Sequence, residues 1–478
     1  MKPPRHDVEG IPVRARVARL EMSLRVRSTV VIIIGLVFAS MFARMADTTN
    51  EALSSAAAVL TCTLVIAFII EARAGVHNLF RADLFMLFAL LGLTFVEFLP
   101  EQDDLSLRLS LDDALATIDV ALCAFGGLAL GRHAFRMYTI PISNMPERGL
   151  PPSHMFRLFM ACAFIGYLHV LLAVNFDIIE AVRQMMLPRF AQSWTRGRIG
   201  GLDTLLNELG LLIYLLPPLA GAVLAEHHRY RGYQKLVIAA ILGLTFFSGL
   251  AGGTRNVILT HLVTFGVSYL TMKRRLTLAS LVTVGSPLAL ASLFVVYYLA
   301  QIRTFGIENW AIGVERTERL VVDMNLLNIA GLMQAFPGRH GYLGLEIPFN
   351  AIIRPIPRFL WPGKPEGLSM SIEEIFKVEG MTLSATYIGE LWIAGGVLAV
   401  IIGSLAFGAV AAGWNRIGAT AQGTLDRIRF ASGMFAAGIC MRSFLSVMPA
   451  VLPTLVLYLF RWWYFRSQAR PYLRSRKI

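Results

Sequence analysis

The chain has 478 residues, of which 56% are hydrophobic and only 16% are charged, and its mean hydropathy is +0.61. Soluble domains carry about 25% charged residues, so this composition excludes a soluble globular domain, a coiled coil and a disordered chain, and it predicts a membrane protein with several spans. The 44 Lys and Arg residues exceed the 31 Asp and Glu residues by 13. We expect much of this excess in cytoplasmic loops beside anionic membrane lipids rather than at a nucleic-acid interface.

Twelve apolar stretches, each near the roughly 20 residues that a membrane helix needs, predict twelve spans. They begin near Ser28, Ala52, Asp83, Ala114, Arg157, Thr204, Leu236, Asn256, Thr277, Ala385, Phe430 and Ala450. Alternatively, the prolines at 449 and 453 would break one long helix into the last two stretches. The four cysteines all lie in apolar stretches, which predicts small core residues rather than disulfides or a metal site.

Basic residues at both ends predict the orientation. The N-terminal tail carries seven Lys and Arg residues and the C-terminal tail carries six, so both termini are predicted to be cytoplasmic in a multi-pass protein of the bacterial inner membrane. The chain then divides into a basic cytoplasmic tail (1–27), spans 1–9 with short loops (28–300), a large periplasmic loop (301–384), spans 10–12 (385–465) and a second basic tail (466–478). The acidic loop at 100–113 fits the periplasmic side.

Several arginines lie in predicted periplasmic loops, against the charge rule. Arg255 occupies a tight turn between two spans, and the others are Arg183, Arg189, Arg196, Arg198, Arg303, Arg316, Arg319, Arg339, Arg354 and Arg358, with Lys364 nearby. One interpretation is solvated charge paired with acids, which we favour for Arg316 and Arg319. The other is a phosphate site, because the guanidinium fork binds phosphate oxygens bidentately. A lipid-linked diphosphate at the outer membrane face is then the expected ligand.

The long periplasmic loop has two predicted parts. Apolar residues spaced three to four apart predict an amphipathic helix over 310–335, lying along the membrane surface or capping a cavity. The following stretch, 347–365, has five prolines and cannot form a continuous helix, so we expect it to line a cavity wall. Just beyond the loop, Glu390 lies one turn inside the tenth span, where a carboxylate requires an arginine partner, a proton or a function.

Three motifs carry a resemblance to a known family. Residues 248–256 (SGLAGGTRN), 356–365 (IPRFLWPGKP) and 387–396 (YIGELWIAGG), in this order and with a large outer loop between the second and third, resemble the Wzy-type oligosaccharide repeat-unit polymerases of O-antigen and exopolysaccharide synthesis. The resemblance implies an all-α, polytopic, GT-C-like membrane glycosyltransferase that works without metal or other cofactor. It would join repeat units carried on undecaprenyl diphosphate at the periplasmic face, with a chain-length regulator and a flippase as further partners.

The resemblance also implies site residues. Arg255 and Arg358 match the diphosphate-holding arginines, with Lys364 as a supporting cation, while a catalytic acid or base role for Glu390 is our own inference. Further predicted substrate-binding residues are Arg354, Arg303, Arg196, Arg198 and Trp361. Asp323, Glu346 and His340 are alternative bases for the acceptor hydroxyl.

Two other functions remain open from the sequence. An O-antigen ligase would use the same donor with a different acceptor, and a flippase would favour repeated halves with broken helices; no convincing internal repeat is present, although Pro217 and Pro218 interrupt the sixth span. The acidic loop is the one carboxylate cluster in the sequence that would suit a metal ion. No nucleotide-binding motif is found.

Overall fold

The structure, a computed structural model, describes residues 13–100, 102–134, 150–196, 203–252, 255–273, 277–309, 323–356, 360–365, 369, 375, 383–421 and 423–474. Within these ranges every regular element is a helix. The α-helices are α1 (Val13–Arg44), α2 (Thr49–Ala72), α3 (Ala82–Thr94), α4 (Leu111–Gly131), α5 (Pro152–Ala173), α6 (Ile178–Met186), α7 (Asp203–Gly210), α8 (Leu216–Ala225), α9 (Gly232–Ala251), α10 (Arg255–Met272), α11 (Leu278–Asn309), α12 (Asn325–Ala335), α13 (Glu346–Ile353), α14 (Thr386–Ala419), α15 (Thr424–Arg442) and α16 (Val447–Arg474).

Eight helical stretches of the described chain are long and apolar enough to cross a membrane, which supports a polytopic membrane protein. They lie in α1, α2, α4, α5, α9, α14 and α16 and in the stretch Glu208–Ala225. Each of the twelve predicted apolar stretches coincides with a helix, but α3 is short, and α10 and α15 carry more polar residues. The count of twelve spans and the GT-C-like fold therefore stay predictions.

Helices α4 and α14 pack closely in the core. Gly127 of α4 faces Ser404 of α14 and Gly131 faces Gly408, and a Cβ atom at Gly408 would lie 2.5 Å from the Leu128 carbonyl oxygen. Small residues four apart let two membrane helices touch backbone to backbone. This contact, which we call the glycine seam, holds α14 against α4 around residues 401–408.

The first section of α14 folds back on the rest of the helix. Helical geometry breaks at Gly395 and Gly396, and the Tyr387 hydroxyl lies 3.0 Å from the Ser404 hydroxyl of the long section. Gly396 has a φ of 64°, a left-handed conformation that favours glycine. The predicted tenth span, which begins near Ala385, thus starts with a half-helix that carries Glu390.

Helix α12 also enters the membrane domain. Its first residue, Asn325, is fully buried and donates a hydrogen bond from Nδ2 to the Leu93 carbonyl at 2.8 Å, at the far end of the short helix α3. Leu326, Ile329 and Leu332 are also buried. The amphipathic helix predicted over 310–335 is thus present from Asn325 to Ala335, with its apolar face packed on the core, and its position relative to the membrane surface stays a prediction. Residues 310–322 lie outside the described residues.

The predicted N-terminal tail is also partly structured. Helix α1 begins at Val13, well inside the predicted tail 1–27, and Arg25 is only 5% exposed. The predicted loop 301–384 likewise begins inside a helix, because α11 continues to Asn309 with a kink at Gly306. After α12, the described part of the proline-rich stretch contains the short helix α13, which ends before Pro355.

The bundle has two distinct ends. One end, which we call the network end, contains the end of α2, the start of α3 and the end of α4, joined by buried ion pairs. The opposite end is the cavity end. It contains the connection from α9 to α10 and the connection from α15 to α16, because α9 and α15 begin at the network end and α10 and α16 finish there. The charge rule predicts that the network end is cytoplasmic.

Candidate functional site

A cavity of about 260 Å³ opens between helices at the cavity end. Its walls come from α5, from the segment after α6, from the α7–α8 region and from the facing ends of α9 and α10. Polar and aromatic side chains line it together: Tyr167, His169, Gln192, Tyr214, Ser248 and His261. An aromatic cavity with convergent polar groups is the usual form of a small-molecule site.

Hydrogen bonds hold the walls in place. The Tyr167 hydroxyl lies 3.2 Å from Thr245 Oγ1 and 3.1 Å from Ser248 Oγ, which ties α5 to α9. Gln192 Nε2 donates to the Ala251 carbonyl at 3.3 Å and ties the outer segment to the end of α9. The cavity is therefore built into the packing of the helices.

The predicted tight turn with Arg255 lies at the edge of this cavity. Helix α9 ends at Ala251 and α10 begins at Arg255, and Gly252, Val257 and His261 contribute to the cavity wall. The half-buried side chain of Arg255 stands at the N-terminal end of α10, where backbone N–H groups and the helix dipole favour an anion. The motif at 248–256 is thus brought to the site.

Two further cations act on Tyr214, in the cavity wall. The Tyr214 ring stacks on Phe435 with centroids 4.0 Å apart, and the charges of Arg442 and Arg189 both act on its hydroxyl. Arg442 is the last residue of α15 and Arg189 belongs to the segment after α6. Sequence reasoning missed Arg442 because it placed this residue inside the eleventh span; its position six residues before Met448 and Pro449 was the available signal for a helix end.

Arg354 and Lys364 meet at a third part of the site, around Glu208 of α7. Lys364 Nζ donates to the Arg354 carbonyl at 2.7 Å and to the Ile356 carbonyl at 2.9 Å, which closes the end of α13. Both positive charges act on the Glu208 carboxylate. Glu208 Oε2 is enclosed and has no hydrogen-bond partner within the described chain, and Gly210, two residues later, lines the cavity.

Glu208 is a site residue that sequence reasoning missed. It lies four residues after the predicted start of the sixth span, next to a stretch rich in arginine, and this was the signal available for it. An acid at the end of an apolar helix is often only a solvated terminal charge. The neighbours of Glu208 distinguish it from such a charge, and they lie more than 140 positions away in the chain.

Glu390 is almost fully buried and is used as a hydrogen-bond acceptor at both oxygens. Oε1 accepts from Ser443 Oγ at 2.7 Å, and Oε2 accepts from the backbone N–H groups of Phe444 and Leu445. These residues form the connection between α15 and α16, next to Arg442. The charge of Arg354 is the weakest of the influences on Glu390, and the described residues show no ion pair between them, so the arginine partner stays a prediction.

The other predicted residues divide into two groups. Trp361 is 36% exposed and Arg354 is exposed, so both are open to a ligand. Arg358 and Arg198, and the side chains of Arg303 and Arg196, lie outside the described residues, and their roles stay predictions.

The alternative bases have other surroundings. Glu346 accepts hydrogen bonds from the hydroxyl and backbone N–H of Ser369, and the His340 ring lies 5.6 Å from the Phe336 ring. Asp323 lies beside the start of α12, where its carbonyl accepts from Asn328 Nδ2 at 3.3 Å. None of these contacts brings the three residues to the cavity.

The acidic loop engages its carboxylates in local hydrogen bonds. The Ser106 backbone N–H donates to Asp104 at 2.9 Å and lowers the pKa of that carboxyl, while Asp113 accepts from Ser110 and Gln334. In the described ranges no three His, Cys, Asp or Glu side chains come together as metal ligands.

Comparisons with protein-family models, with characterised proteins and with solved structures found no match to this chain.

Proposed function

We propose that the protein is a membrane glycosyltransferase that polymerises undecaprenyl-diphosphate-linked oligosaccharide repeat units at the periplasmic face. One observation carries the proposal. Five cations are linked to residues in or beside one aromatic and polar cavity, at the end of the bundle that the charge rule assigns to the periplasm. Arg189 and Arg442 act on Tyr214 in the cavity wall, and Arg255 begins α10 between the wall residues Gly252 and Val257. Arg354 and Lys364 act on Glu208, two residues before Gly210 of the wall. The motif resemblance supports the same reading.

The cations suit the departure of a lipid diphosphate. When the bond between the anomeric carbon of the donor glycan and the diphosphate oxygen breaks, the electron pair stays on that oxygen and negative charge develops there. Fixed donors at such a position each contribute about 2.7–4 kcal/mol to transition-state stabilisation. We assign Arg255 and Arg442 to this role, because they stand at the ends of α10 and α15 beside the cavity.

Glu208 suits the acceptor side of the reaction. The non-reducing sugar hydroxyl of the acceptor unit attacks the anomeric carbon and gives its proton to a base. Glu208 offers an oxygen with no hydrogen bond within the described chain, whereas both oxygens of Glu390 are occupied. We therefore assign Glu208 as the base and Glu390 as a positioning residue that holds the α15–α16 connection, and with it Arg442, in place.

Purified full-length protein with a defined undecaprenyl-diphosphate-linked repeat unit tests the proposal. We expect a ladder of longer glycans from the wild type, and Arg442→Ala should slow its formation about 10²–10³-fold, the loss typical for one such donor. The matched control is Arg229→Ala at the network end, where Arg229 Nη1 pairs with Glu226 at 2.6 Å. Equal rates for the two variants, or no polymer from the wild type, would contradict the assignment.

A lipid-linked-oligosaccharide flippase is the second candidate, and the half-helices favour it. Helix α12 and the first section of α14 both begin inside the membrane domain, an arrangement found in transporters. Flippase activity would move the substrate across a vesicle bilayer without forming a new glycosidic bond. A ligase would instead transfer glycan to a lipid A core and not to a second repeat unit, so one set of substrates separates the three functions.

A further inference from the structure

The network end contains five charged side chains that are almost completely buried. Arg81 forms a bidentate pair with Asp83 at 2.9 and 2.7 Å, and its Nη1 lies 3.6 Å from Glu71. Arg132 contacts both carboxylates, with its Nε 2.8 Å from Asp83 Oδ2. The fifth member is Arg25, and no member is more than 6% exposed. We call these five residues the inner network.

Positive charge exceeds negative charge in the inner network. Within the five residues, three guanidinium groups, of Arg25, Arg81 and Arg132, face two carboxylates, of Glu71 and Asp83; the charge of Glu21, outside the network, acts on Arg81. Neutral groups also donate to both carboxylates: Ser28 Oγ donates to Glu71 at 2.7 Å, and Asn415 Nδ2 donates to Asp83 at 2.5 Å. Glu71 Oε1 and Asp83 are thus engaged by other donors, whereas Glu71 Oε2 has no hydrogen bond to a described residue.

Arg25 is the member whose side chain forms no hydrogen bond or ion pair with a described residue, whereas Arg132 and Glu71 have unpartnered atoms but also form ion pairs. Its Nε and Nη2 atoms are enclosed and make no hydrogen bond to any described residue. The charges of Arg81 and Arg132 act on it as repulsion, and Glu71 and Asp83 attract it only from a distance. Glu21, one helical turn earlier, pairs with His77 at 3.2 Å. A buried charge without a partner costs several kcal/mol, so such groups in proteins are normally paired or bind a ligand.

The position of Arg25 matches the level of the lipid phosphates. From Arg25 to Arg44, the end of α1, the helix rises about 29 Å at 1.5 Å per residue, close to the roughly 30 Å of the bilayer hydrocarbon. Beside Arg25, the Thr29 hydroxyl lies 2.8 Å from His133 Nε2. Burial, followed by the charges of Arg25 and Arg132, lowers the pKa of His133 to about 4, so its ring is neutral at pH 7 and does not add to the excess charge.

We propose that Arg25 binds a phosphate anion at the network end, supplied by an anionic lipid headgroup of the adjacent leaflet or by free phosphate. The guanidinium fork offers the two donors that a phosphate accepts bidentately, and one such anion neutralises the inner network. The proposal is independent of the glycosyltransferase assignment, because the inner network and the cavity lie at opposite ends of the bundle.

The test uses full-length protein in phosphate-free maltoside micelles. Phosphatidylglycerol is titrated in one arm and inorganic phosphate in the other, and thermal unfolding is followed. We expect a saturable rise of the unfolding midpoint in at least one arm. Arg25→Met should weaken the apparent affinity at least about tenfold, the factor equivalent to about 1.4 kcal/mol, and Arg25→Lys should lose less. Arg229→Met, at the same end of the bundle, should respond like the wild type.

The ligand-free measurement separates binding from a purely structural role. Without lipid or phosphate, Arg25→Met removes an unpaired charge and should unfold at the same temperature as the wild type or higher. A lower midpoint under every condition would show that Arg25 only holds the helices together. An equal rise in wild type and Arg25→Met, or no rise in either arm, would likewise overturn the proposal, and the wild-type titrations decide this even if the variant fails to insert.

Discussion

The two ends of the bundle use arginine in opposite ways. At the network end Arg81 and Arg132 are buried and each contacts two carboxylates, so their charges are consumed by the protein itself. At the cavity end Arg189, Arg255 and Arg442 are half-buried and Arg354 is exposed, all around the cavity region. The number of arginines at one end of the bundle therefore does not predict their role. Their role depends on whether carboxylates or an open cavity lie beside them.

Arg132→Ala, at the network end, should cause the greatest loss of stability. Arg132→Ala leaves Glu71 and Asp83 with one guanidinium fewer in a fully buried position, and removing one partner of a buried ion pair typically costs about 3–5 kcal/mol. We expect a strong loss of folded protein, measured by thermal unfolding in micelles and by the yield of monodisperse protein. Wild-type stability for this variant would contradict the assignment of Arg132 as a structural residue.

At the cavity end, Glu208→Gln and Glu390→Gln should differ in transfer rate and in stability. Glu208→Gln should lower the rate of glycan transfer about 10²–10⁴-fold, the range typical for removing a general base, while its unfolding temperature stays close to that of the wild type.

Glu390→Gln is the matched change on the same side of the protein. It replaces the carboxylate with a neutral amide, whose remaining oxygen accepts from the Phe444 and Leu445 N–H groups and whose NH2 donates to Ser443 Oγ. Hydrogen bonds to a neutral acceptor contribute about 1 kcal/mol less than those to a charged one. We therefore expect lower stability together with lower activity. The reverse pattern, an inactive but stable Glu390→Gln and a fully active Glu208→Gln, would restore Glu390 as the base.

The smallest expected effect comes from an ordinary surface arginine at the cavity end. Arg183 lies 3.8 Å from Glu180, and its side chain is 77% exposed. Exposed pairs of this kind contribute about 0–1 kcal/mol, so Arg183→Ala should keep both stability and transfer rate within about twofold of the wild type. A large loss of transfer would extend the site along α6.

The sequence predicted the parts of this structure that depend on local composition. Apolar stretches predicted where helices run, and the short connection before Arg255 was predicted from its glycines. It also predicted Arg354 and Lys364 as site residues, and both of their charges act on Glu208. These features are encoded within a few neighbouring residues, so they are readable without any tertiary contact.

The missed features depend on direction and on distant neighbours. Hydropathy measures length and apolarity, and the half-helix before Gly395 is as apolar as a true span, so its fold-back was not predicted. Arg25 was assigned to a solvated tail because basic residues near a terminus usually lie there. Glu208 is recognised as a site residue only through the charges of Arg354 and Lys364. Arg442 is recognised only through its effect on Tyr214.

The glycine seam has a consequence for how signals could pass through the molecule. Asn415, near one end of α14, accepts a hydrogen bond from the Ala82 N–H and donates to Asp83, whereas Glu390 lies toward the opposite end of the same helix. Because α14 touches α4 backbone to backbone at the glycine seam, the long section of α14 cannot slide along α4. A displacement at Asn415 would therefore be transmitted along this long section as far as the break at Gly395 and Gly396, beyond which Glu390 lies.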